Sequence, residues 1–340
     1  MACSDATPAV VPSADADADS DITVTTDSAE DWASSDADTA SDVPIAGSWA
    51  EAAAVPGGEL QEHSVLAIAG KIYCLGGFRG FASTDEVLIY DIASDTWSSG
   101  APLPQAGHHL NVAVVDGDIV VLGALGGGFS EFPATWLYDV SADSWDTQTL
   151  TPAPVGQERG SSAMGVIDGV VYIAGGLRGG SAVTLASTYD VANGAWATLD
   201  PLPAKRDHLV GAAHGGRFYA VGGRTGTISG VKGEVFEYDP AGAGGWLSKS
   251  PLPTPRGGIA GATLNSVLYV FGGEGSDEPG SVFSQVEAYD FAADSWTVLP
   301  PMPTPVHGTG AASWNGKIYI PGGGIVAAFG ASDIFQVYSP

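Results

Sequence analysis

The chain has 340 residues, 48 of them glycine, and a formal net charge of −27 at pH 7 from 39 acidic and 12 basic residues. A charge of this sign repels nucleic-acid phosphates, so we expect no nucleic-acid partner. The glycines follow no triplet period, which excludes a collagen-like helix, and no apolar run approaches the ~20 residues that cross a bilayer.

The first 45 residues differ in composition from the rest of the chain. They contain eleven carboxylates and neither lysine nor arginine. A segment so rich in Ala, Ser, Asp and Thr buries too little apolar surface to offset the entropy lost on ordering. We therefore predict a disordered acidic tether over residues 1–44 and a folded domain over residues 45–340.

Cysteine occurs twice, as Cys3 and Cys74. Met1-Ala2-Cys3-Ser4, followed by the polar tether, resembles the processed start of a bacterial lipoprotein, in which a small residue precedes the lipidated cysteine. This resemblance implies an extracytoplasmic protein, periplasmic or on the cell surface, whose only membrane contact is a lipid on Cys3. The alternative is an incidental cysteine in a tail. Cys74 lies in an apolar run, where we expect a small buried hydrophobic residue.

The folded part is organised around short apolar runs that end on a glycine pair. The first is Lys71–Leu75, followed by Gly76-Gly77. Related runs end at Gly123-Ala124, Gly175-Gly176, Gly222-Gly223, Gly272-Gly273 and Gly322-Gly323. An apolar run of this length bounded by glycine suits a strand buried on both faces. A period of about fifty residues with several β signals in each repeat is typical of a β-propeller.

Two further landmarks accompany each run. A Tyr-Asp pair is followed after a few residues by tryptophan, in Tyr90-Asp91…Trp97, Tyr138-Asp139…Trp145, Tyr189-Asp190…Trp196, Tyr238-Asp239…Trp246 and Tyr289-Asp290…Trp296. A Pro-x-Pro motif follows, at Pro102/Pro104, Pro152/Pro154, Pro201/Pro203, Pro251/Pro253 and Pro301/Pro303. Aspartate can cap the turn after it, the aromatic residues can fill the seam between stacked sheets, and Pro-x-Pro ends the preceding strand.

Together these landmarks resemble the Kelch repeat from residue 45 to residue 340. The resemblance implies an all-β, six-bladed β-propeller with four antiparallel strands in each blade. In the first blade the predicted strands are Ser64–Ala69, Lys71–Leu75, a strand near Glu86–Tyr90 and one that starts at Trp97. Gly126–Gly128 and Pro321 predict local irregularity in the second and sixth blades.

The last repeat lacks its outer strand. It ends at Pro340 with no Tyr-Asp-turn-Trp segment, whereas an unassigned tryptophan, Trp49, precedes the first repeat. We predict that residues 46–50 form the outer strand of the last blade, which joins the two termini and removes an open sheet edge.

The resemblance places two sets of segments on one face around the central channel: the turns that lead into the innermost strands and the loops after the glycine pairs. Histidine and arginine are concentrated there. The candidate ligand-binding residues are Arg79, Phe81, His108, His109, Phe129, Arg159, Arg178, Arg206, His208, Arg224, Arg256 and His307. Each can also serve the fold alone, by bonding loop carbonyls and neighbouring blades.

Arginine forks suit carboxylates and sulfates, and aromatic rings stack on sugars or peptide side chains. We therefore expect a monomeric binding module that recognises an acidic small ligand, a glycan or a protein at the channel mouth. The sequence shows no cofactor motif, and we assign no cofactor and no metal ligand. A divalent metal on His108, His109, His208 and His307 is an alternative, but histidines on separate blades need not converge.

An enzyme is the alternative to a binding module. Galactose oxidase has a similar propeller, but its radical site needs a Tyr–Cys cross-link, and Cys74 lies in a core strand. Sialic acid epimerases are six-bladed Kelch proteins too. If this chain were an enzyme of that kind, Glu62, His109 and His208 would be its acid–base candidates.

Overall fold

A computed structural model describes residues 47–242, 244–276 and 281–340. The predicted tether over residues 1–44, with Cys3, lies outside these residues, so the tether, the domain boundary and the lipoprotein start remain predictions. In the described part of the chain, no helix combines the length and the hydrophobicity of a membrane span.

Six four-stranded antiparallel sheets form the blades, as the repeats predict. The first blade comprises β2 (Ser64–Ile68), β3 (Lys71–Leu75), β6 (Val87–Asp91) and β7 (Thr96–Ser99). The second comprises β8 (Val112–Val115), β9 (Asp118–Leu125), β10 (Glu131–Asp139) and β11 (Ser144–Asp146). The third comprises β12 (Ala163–Ile167), β13 (Val170–Ala174), β16 (Ala186–Asp190) and β17 (Ala195–Thr198).

The fourth blade comprises β18 (Val210–His214), β19 (Arg217–Val221), β20 (Val235–Tyr238) and β21 (Trp246–Lys249). The fifth comprises β22 (Ala260–Leu264), β23 (Val267–Phe271), β24 (Val286–Asp290) and β25 (Ser295–Leu299). The sixth comprises β26 (Ala312–Trp314), β27 (Lys317–Pro321), β28 (Phe335–Ser339) and β1 (Ser48–Glu51). Two short hairpins, β4 (Phe78–Arg79) with β5 (Ala82–Ser83) and β14 (Leu177–Arg178) with β15 (Ser181–Ala182), and two 3₁₀ turns, Gly127–Phe129 and Ile228–Gly230, lie in the loops.

The repeated aromatic residues join neighbouring blades, as expected. The indole N–H of Trp97 donates to the carbonyl of Ala53 at 2.8 Å, and that of Trp145 donates to Ala101 at 2.9 Å, so each tryptophan reaches back to the preceding repeat. Asp91 caps its turn by accepting the backbone N–H of Ser94 at 3.0 Å. The landmarks of the repeat therefore act as turn caps and as bonds between blades.

The second blade is irregular, as its glycine run predicts. Strand β9 extends through Gly123 to Leu125, and its register with β10 shifts between Phe132 and Thr135. This bulge lets the chain continue past the point where the other blades turn at a glycine pair.

The last blade is closed by the N-terminal strand, which confirms the predicted clasp. Strand β1 pairs antiparallel with β28, with Trp49 opposite Tyr338. The Trp49 ring lies 4.9 Å from the ring of Tyr338 and 5.9 Å from that of Phe271 in the fifth blade. The sixth blade therefore depends on a strand that the chain supplies from its opposite end.

Three of the predicted ligand-binding arginines are buried inside the blades: Arg159, Arg206 and Arg256. Arg159 donates to the carbonyls of Gly175 at 2.8 Å and Ile173 at 3.0 Å. Because the guanidinium groups point into the sheets, these three residues are unavailable to a ligand at the channel mouth. Their assignment as ligand-binding residues is corrected accordingly.

The other two buried arginines are paired with carboxylates. Arg206 lies 2.7 Å from Glu234, and Arg256 forms an ion pair with the fully buried Glu287 and donates to the carbonyl of Gly272 at 2.6 Å. Each arginine thus ties the turn before an innermost strand to the body of its own blade.

Removal of the clasp should destabilise the propeller. A chain that lacks residues 1–51 should melt roughly 5–10 °C below one that lacks residues 1–40, because it loses a hydrogen-bonded strand and a packed tryptophan. Differential scanning calorimetry measures both. Equal melting temperatures would contradict the role of β1.

Arg256→Ala should lower the free energy of unfolding by about 3–5 kcal/mol, because it leaves Glu287 as an unpaired buried charge. Arg178→Ala is the matched control: its side chain is 38% exposed, so we expect a change within about 0.5 kcal/mol. Urea unfolding followed by tryptophan fluorescence gives both values. A stable Arg256→Ala protein would show that the arginine is free for other tasks.

Candidate functional site

A closed ring of backbone hydrogen bonds surrounds the central channel. One residue from each blade contributes, in the order Glu62, His109, Ser161, His208, Gly258 and Gly308. Each N–H donates to the carbonyl of the ring residue in the preceding blade at 2.9–3.1 Å, and the N–H of Glu62 closes the ring on Gly308. All six residues have positive φ, which is uncommon outside glycine. We call these six residues the inner ring.

The residue before each ring member anchors a loop above it. Two backbone hydrogen bonds join it to the loop that follows a strand end, in the pairs Gln61–Phe78, His108–Leu125, Gly160–Leu177, Asp207–Arg224, Gly257–Glu274 and His307–Gly324. The loops are therefore held over the inner ring, and the side chains of Arg224 and Glu274 reach it.

Three inner-ring side chains converge. Nε2 of His109 lies 3.0 Å from a carboxylate oxygen of Glu62 and 2.8 Å from Nε2 of His208. Gly308 leaves room for this arrangement, because a Cβ there would collide with the Glu62 carboxylate. The three acid–base candidates named from the sequence thus form one cluster, which we call the Glu-His-His cluster.

Hydrogen-bond partners fix the ring orientations of the two histidines in the cluster, His109 and His208. Nδ1 of His208 donates to Asp207 at 2.6 Å, since a carboxylate only accepts. Nε2 of His108 donates to the carbonyl of Gly126 at 2.8 Å, so its Nδ1 is left to accept a hydrogen bond from Nδ1 of His109. Burial lowers the pKa of His108 to about 3, which keeps this imidazole neutral.

Arg224 completes the floor of the site. Its guanidinium donates to Nε2 of His208 at 2.8 Å and to Asp207 at 3.3 Å, and it pairs with Glu274. Burial opposes the ionisation of Asp207, yet the bonds from His208 and the charge of Arg224 hold its pKa below the usual value. Burial also opposes ionisation of Glu62, and the neighbouring histidines hold its pKa well below the usual value. The floor therefore presents three carboxylates and one guanidinium.

Aromatic side chains form one wall above this floor. The ring of Phe78 lies 4.1 Å from the ring of His108 and 5.6 Å from that of Phe329, and Phe129 lies 5.6 Å from His109. Wall and floor line a pocket of about 80 Å³ at the channel mouth.

The structure brings seven of the twelve sequence-predicted ligand residues to this mouth: Phe81, His108, His109, Phe129, His208, Arg224 and His307. His108 and His307 are engaged with carbonyls, because Nε2 of His307 donates to Val326 at 2.9 Å. The four histidines proposed as a metal set therefore do not converge as a group. Of the four, only His109 and His208 bring their Nε2 atoms together, whereas His108 meets His109 through Nδ1.

Arg79 and Arg178 lie away from the pocket. Arg79 donates to the carbonyls of Pro56 and Gly58 and pairs with Glu86 at 2.7 Å, which fixes a loop outside the channel. Arg178 lies 3.9 Å from Glu131 and 3.8 Å from Glu158 between two blades.

The sequence-predicted ligand residues did not include Asp207, Glu274, Phe78 and Phe329, which all contribute to the mouth. A signal for Glu274 was present in the repeat: it follows the glycine pair of its blade at the same position that Arg224 occupies in the preceding blade. The side chain of Cys74, in contrast, is buried in β3, where a small apolar residue was expected.

Comparisons with known proteins agree with this architecture. The Kelch motif model matches residues 61–104 and 255–303. Kelch-like protein terF of Aspergillus terreus is 34% identical over 196 residues, which are 53% of this chain and 42% of that protein. Kelch-like protein 35 of Mus musculus is 29% identical over 178 residues, which are 52% of this chain and 29% of that protein. The chain thus matches less than half the length of these relatives.

A solved structure titled "Structure of YjhT" superposes with a TM-score of 0.70 and covers 83% of this chain and 95% of that chain at 16% identity, a likeness of fold alone. The sequence motifs, the relatives and the six four-stranded blades together support a Kelch-repeat β-propeller family for this chain.

Proposed function

We propose that this propeller is a binding module that recognises a protein partner at the channel mouth. The Kelch propeller fold supports a recognition role in general. The observation that carries the proposal for this chain is an exposed apolar group beside the pocket, which we call the apolar rim: Phe81, Ile325, Val326 and Phe329.

The four apolar side chains of the rim are more exposed than is usual for such residues in a folded protein. Phe81 is 81% exposed and Phe329 is 43% exposed, and their rings lie 5.0 Å apart. Ile325 and Val326 precede Phe329 in the same loop and are about half exposed. Contiguous apolar surface beside a polar depression is typical of a protein interaction site, where aromatic side chains supply most of the binding energy.

The charge of the pocket floor favours a partner that places no acidic side chain in the pocket. Asp207 and Glu274 already engage the single guanidinium of Arg224, and Glu62 adds a third carboxylate beside His109. The sequence favoured an acidic ligand on the assumption that the repeated arginines meet at the mouth, and the structure places those arginines inside the blades. The net charge of −27 adds long-range attraction for basic surfaces. We therefore propose an apolar segment that carries a basic side chain.

The cellular location remains a proposal that rests on Ala2-Cys3 and the acidic composition after it. An extracytoplasmic propeller held by a lipid on Cys3 would present its mouth to secreted or surface partners.

A displayed peptide library tests the partner proposal. Peptides selected on the EDTA-dialysed protein should pair Lys or Arg with neighbouring apolar residues, and Phe329→Ser should weaken their binding by about tenfold or more, since interface aromatics contribute roughly 2 kcal/mol. Fluorescence anisotropy measures the affinity. Val298→Ser is the control, because Val298 lies on the outer strand β25 and is more exposed than Phe329, at 63% against 43%. Selection of acidic peptides, or equal loss in both variants, would contradict the proposal.

A sugar-acting enzyme of the epimerase type is the second candidate, and the convergence of Glu62, His109 and His208 is the observation in its favour. A carboxylate beside two imidazoles can move protons to and from a sugar oxygen. The aromatic wall can stack on a sugar face.

The enzyme hypothesis predicts that the protein accelerates the anomeric equilibration of N-acetylneuraminic acid, with a pH profile that His109→Ala and His208→Ala abolish. Proton NMR follows the anomers after dissolution of the crystalline sugar. His214→Ala is the control, because His214 lies at the far end of β18 from His208 and its ring stacks on that of Phe291 at 4.5 Å. A rate equal to that in buffer alone would remove this candidate for that substrate.

A further inference from the structure

We propose that Glu62, His109 and His208 bind a divalent transition-metal ion, with Zn²⁺ as the ion that suits two imidazoles and a carboxylate. Imidazole nitrogen and carboxylate oxygen are ordinary zinc ligands, and sites with three protein ligands keep a position open for water or substrate. This inference is independent of the partner proposal, because it concerns the pocket floor and not the apolar rim.

The distances fit such a site. Nε2 of His109 lies 2.8 Å from Nε2 of His208 and 3.0 Å from Glu62, and one atom from each of the three residues lies within 4.8 Å of the others. Two ligands about 2.1 Å from one metal ion lie roughly 3.0–3.4 Å apart, depending on the angle between them. The two contacts of His109 are therefore within a few tenths of an ångström of the spacing between two metal ligands, and the Glu62–His208 pair lies within 4.8 Å.

The residues around the cluster orient its ligand atoms as the outer shell of a metal site does. Asp207 accepts the Nδ1 hydrogen of His208, and this leaves Nε2 of His208 with a lone pair. His108 accepts the Nδ1 hydrogen of His109, and its own Nε2–H is bonded to a carbonyl. A carboxylate behind a ligating histidine is the usual second-shell arrangement around zinc.

If both imidazoles of the cluster are neutral, hydrogen bonds alone do not satisfy its polar atoms. Nε2 of His109 faces two acceptors, the Glu62 carboxylate and Nε2 of His208, because His208 already accepts a bond from Arg224. Either a proton makes His109 a cation or a metal ion takes that place. The metal ion would bind all three groups at once, and the bond from Arg224 to His208 would yield to it.

A second observation shows that the surroundings of the Glu-His-His cluster are rich in hydrogen-bond acceptors. His307 is fully buried, its Nε2–H is bonded to a carbonyl, and its Nδ1 has no hydrogen-bond partner among the described residues. That nitrogen lies 4.0 Å from the Glu62 carboxylate and 3.6 Å from Glu274. An unpartnered buried nitrogen beside two carboxylates is a polar environment that a bound cation would satisfy.

Isothermal titration calorimetry of the full chain, stripped with EDTA and dialysed, tests the site with Zn²⁺ alone. We expect one site per chain. His109→Ala and Glu62→Gln should weaken it by at least about a hundredfold, whereas Asp207→Asn should weaken it about 10–100-fold. His214→Ala is the control and should leave the affinity unchanged. Equal binding in a Glu62→Gln/His109→Ala double variant would place the metal elsewhere, for example on the acidic first 45 residues, and would overturn the proposal.

Two glycine variants separate the site from the fold. Gly308→Ala moves the Glu62 carboxylate and should weaken Zn²⁺ binding, whereas Gly258→Ala carries a similar backbone strain at a φ of 61° against 58°, with no atom closer than 3.5 Å to the new Cβ. Gly258→Ala should therefore retain the affinity. Equal affinities in the two variants would contradict the role of Glu62.

X-ray absorption of the zinc-loaded wild-type protein gives a result that needs no variant. Two imidazole nitrogens in the ligand set support the site, and a ligand set of oxygens alone overturns it. The wild-type protein can bind Zn²⁺ without selecting basic peptides, or the reverse, so failure of the peptide test and failure of the metal test are distinguishable.

Discussion

The structure depends on the inner ring, the closed circle of backbone hydrogen bonds that runs through all six blades. Each blade is an independent sheet, and the ring gives every blade the same two neighbours at its innermost turn. Four members of the ring are not glycine and hold φ between 53° and 58°. Such a conformation costs about 1 kcal/mol in each residue, and a hydrogen bond in a buried setting returns a similar amount. The ring therefore persists because it closes, with the N–H of Glu62 bonded to the carbonyl of Gly308.

The ring also explains why the acid–base groups meet. A residue with positive φ turns its side chain away from the path of the neighbouring strand, here toward the channel. Glutamate and histidine occupy adjacent ring positions at Glu62 and His109, whereas Gly258 and Gly308 leave the other side open. The site is thus asymmetric although its frame is nearly sixfold. Arg224 and Glu274, one layer above, come from loops that the same frame holds in place.

The repeat landmarks predicted the fold in detail, because each has a local physical cause. The run before the first glycine pair became β3 with the predicted bounds, and the unmatched Trp49 located the strand that closes the ring. The site was predicted less well. The repeat shows which residues are equivalent, but it does not show which way their side chains point. Arg256 precedes its ring residue by two positions and enters the blade, whereas His208 is itself a ring residue and faces the channel.

The interior of this propeller separates architecture from chemistry. The hydrogen bonds of the inner ring use only main-chain atoms. The ring therefore requires a particular backbone conformation of its six members but no particular functional group. A substitution at one of these positions can alter charge, basicity or ligand preference in the channel while the cores between blades stay untouched. Three of the six ring members, Ser161, Gly258 and Gly308, carry a small side chain or none. Propellers built on such a frame can acquire new activities through very few changes, and relatives with the same outline need not share a task.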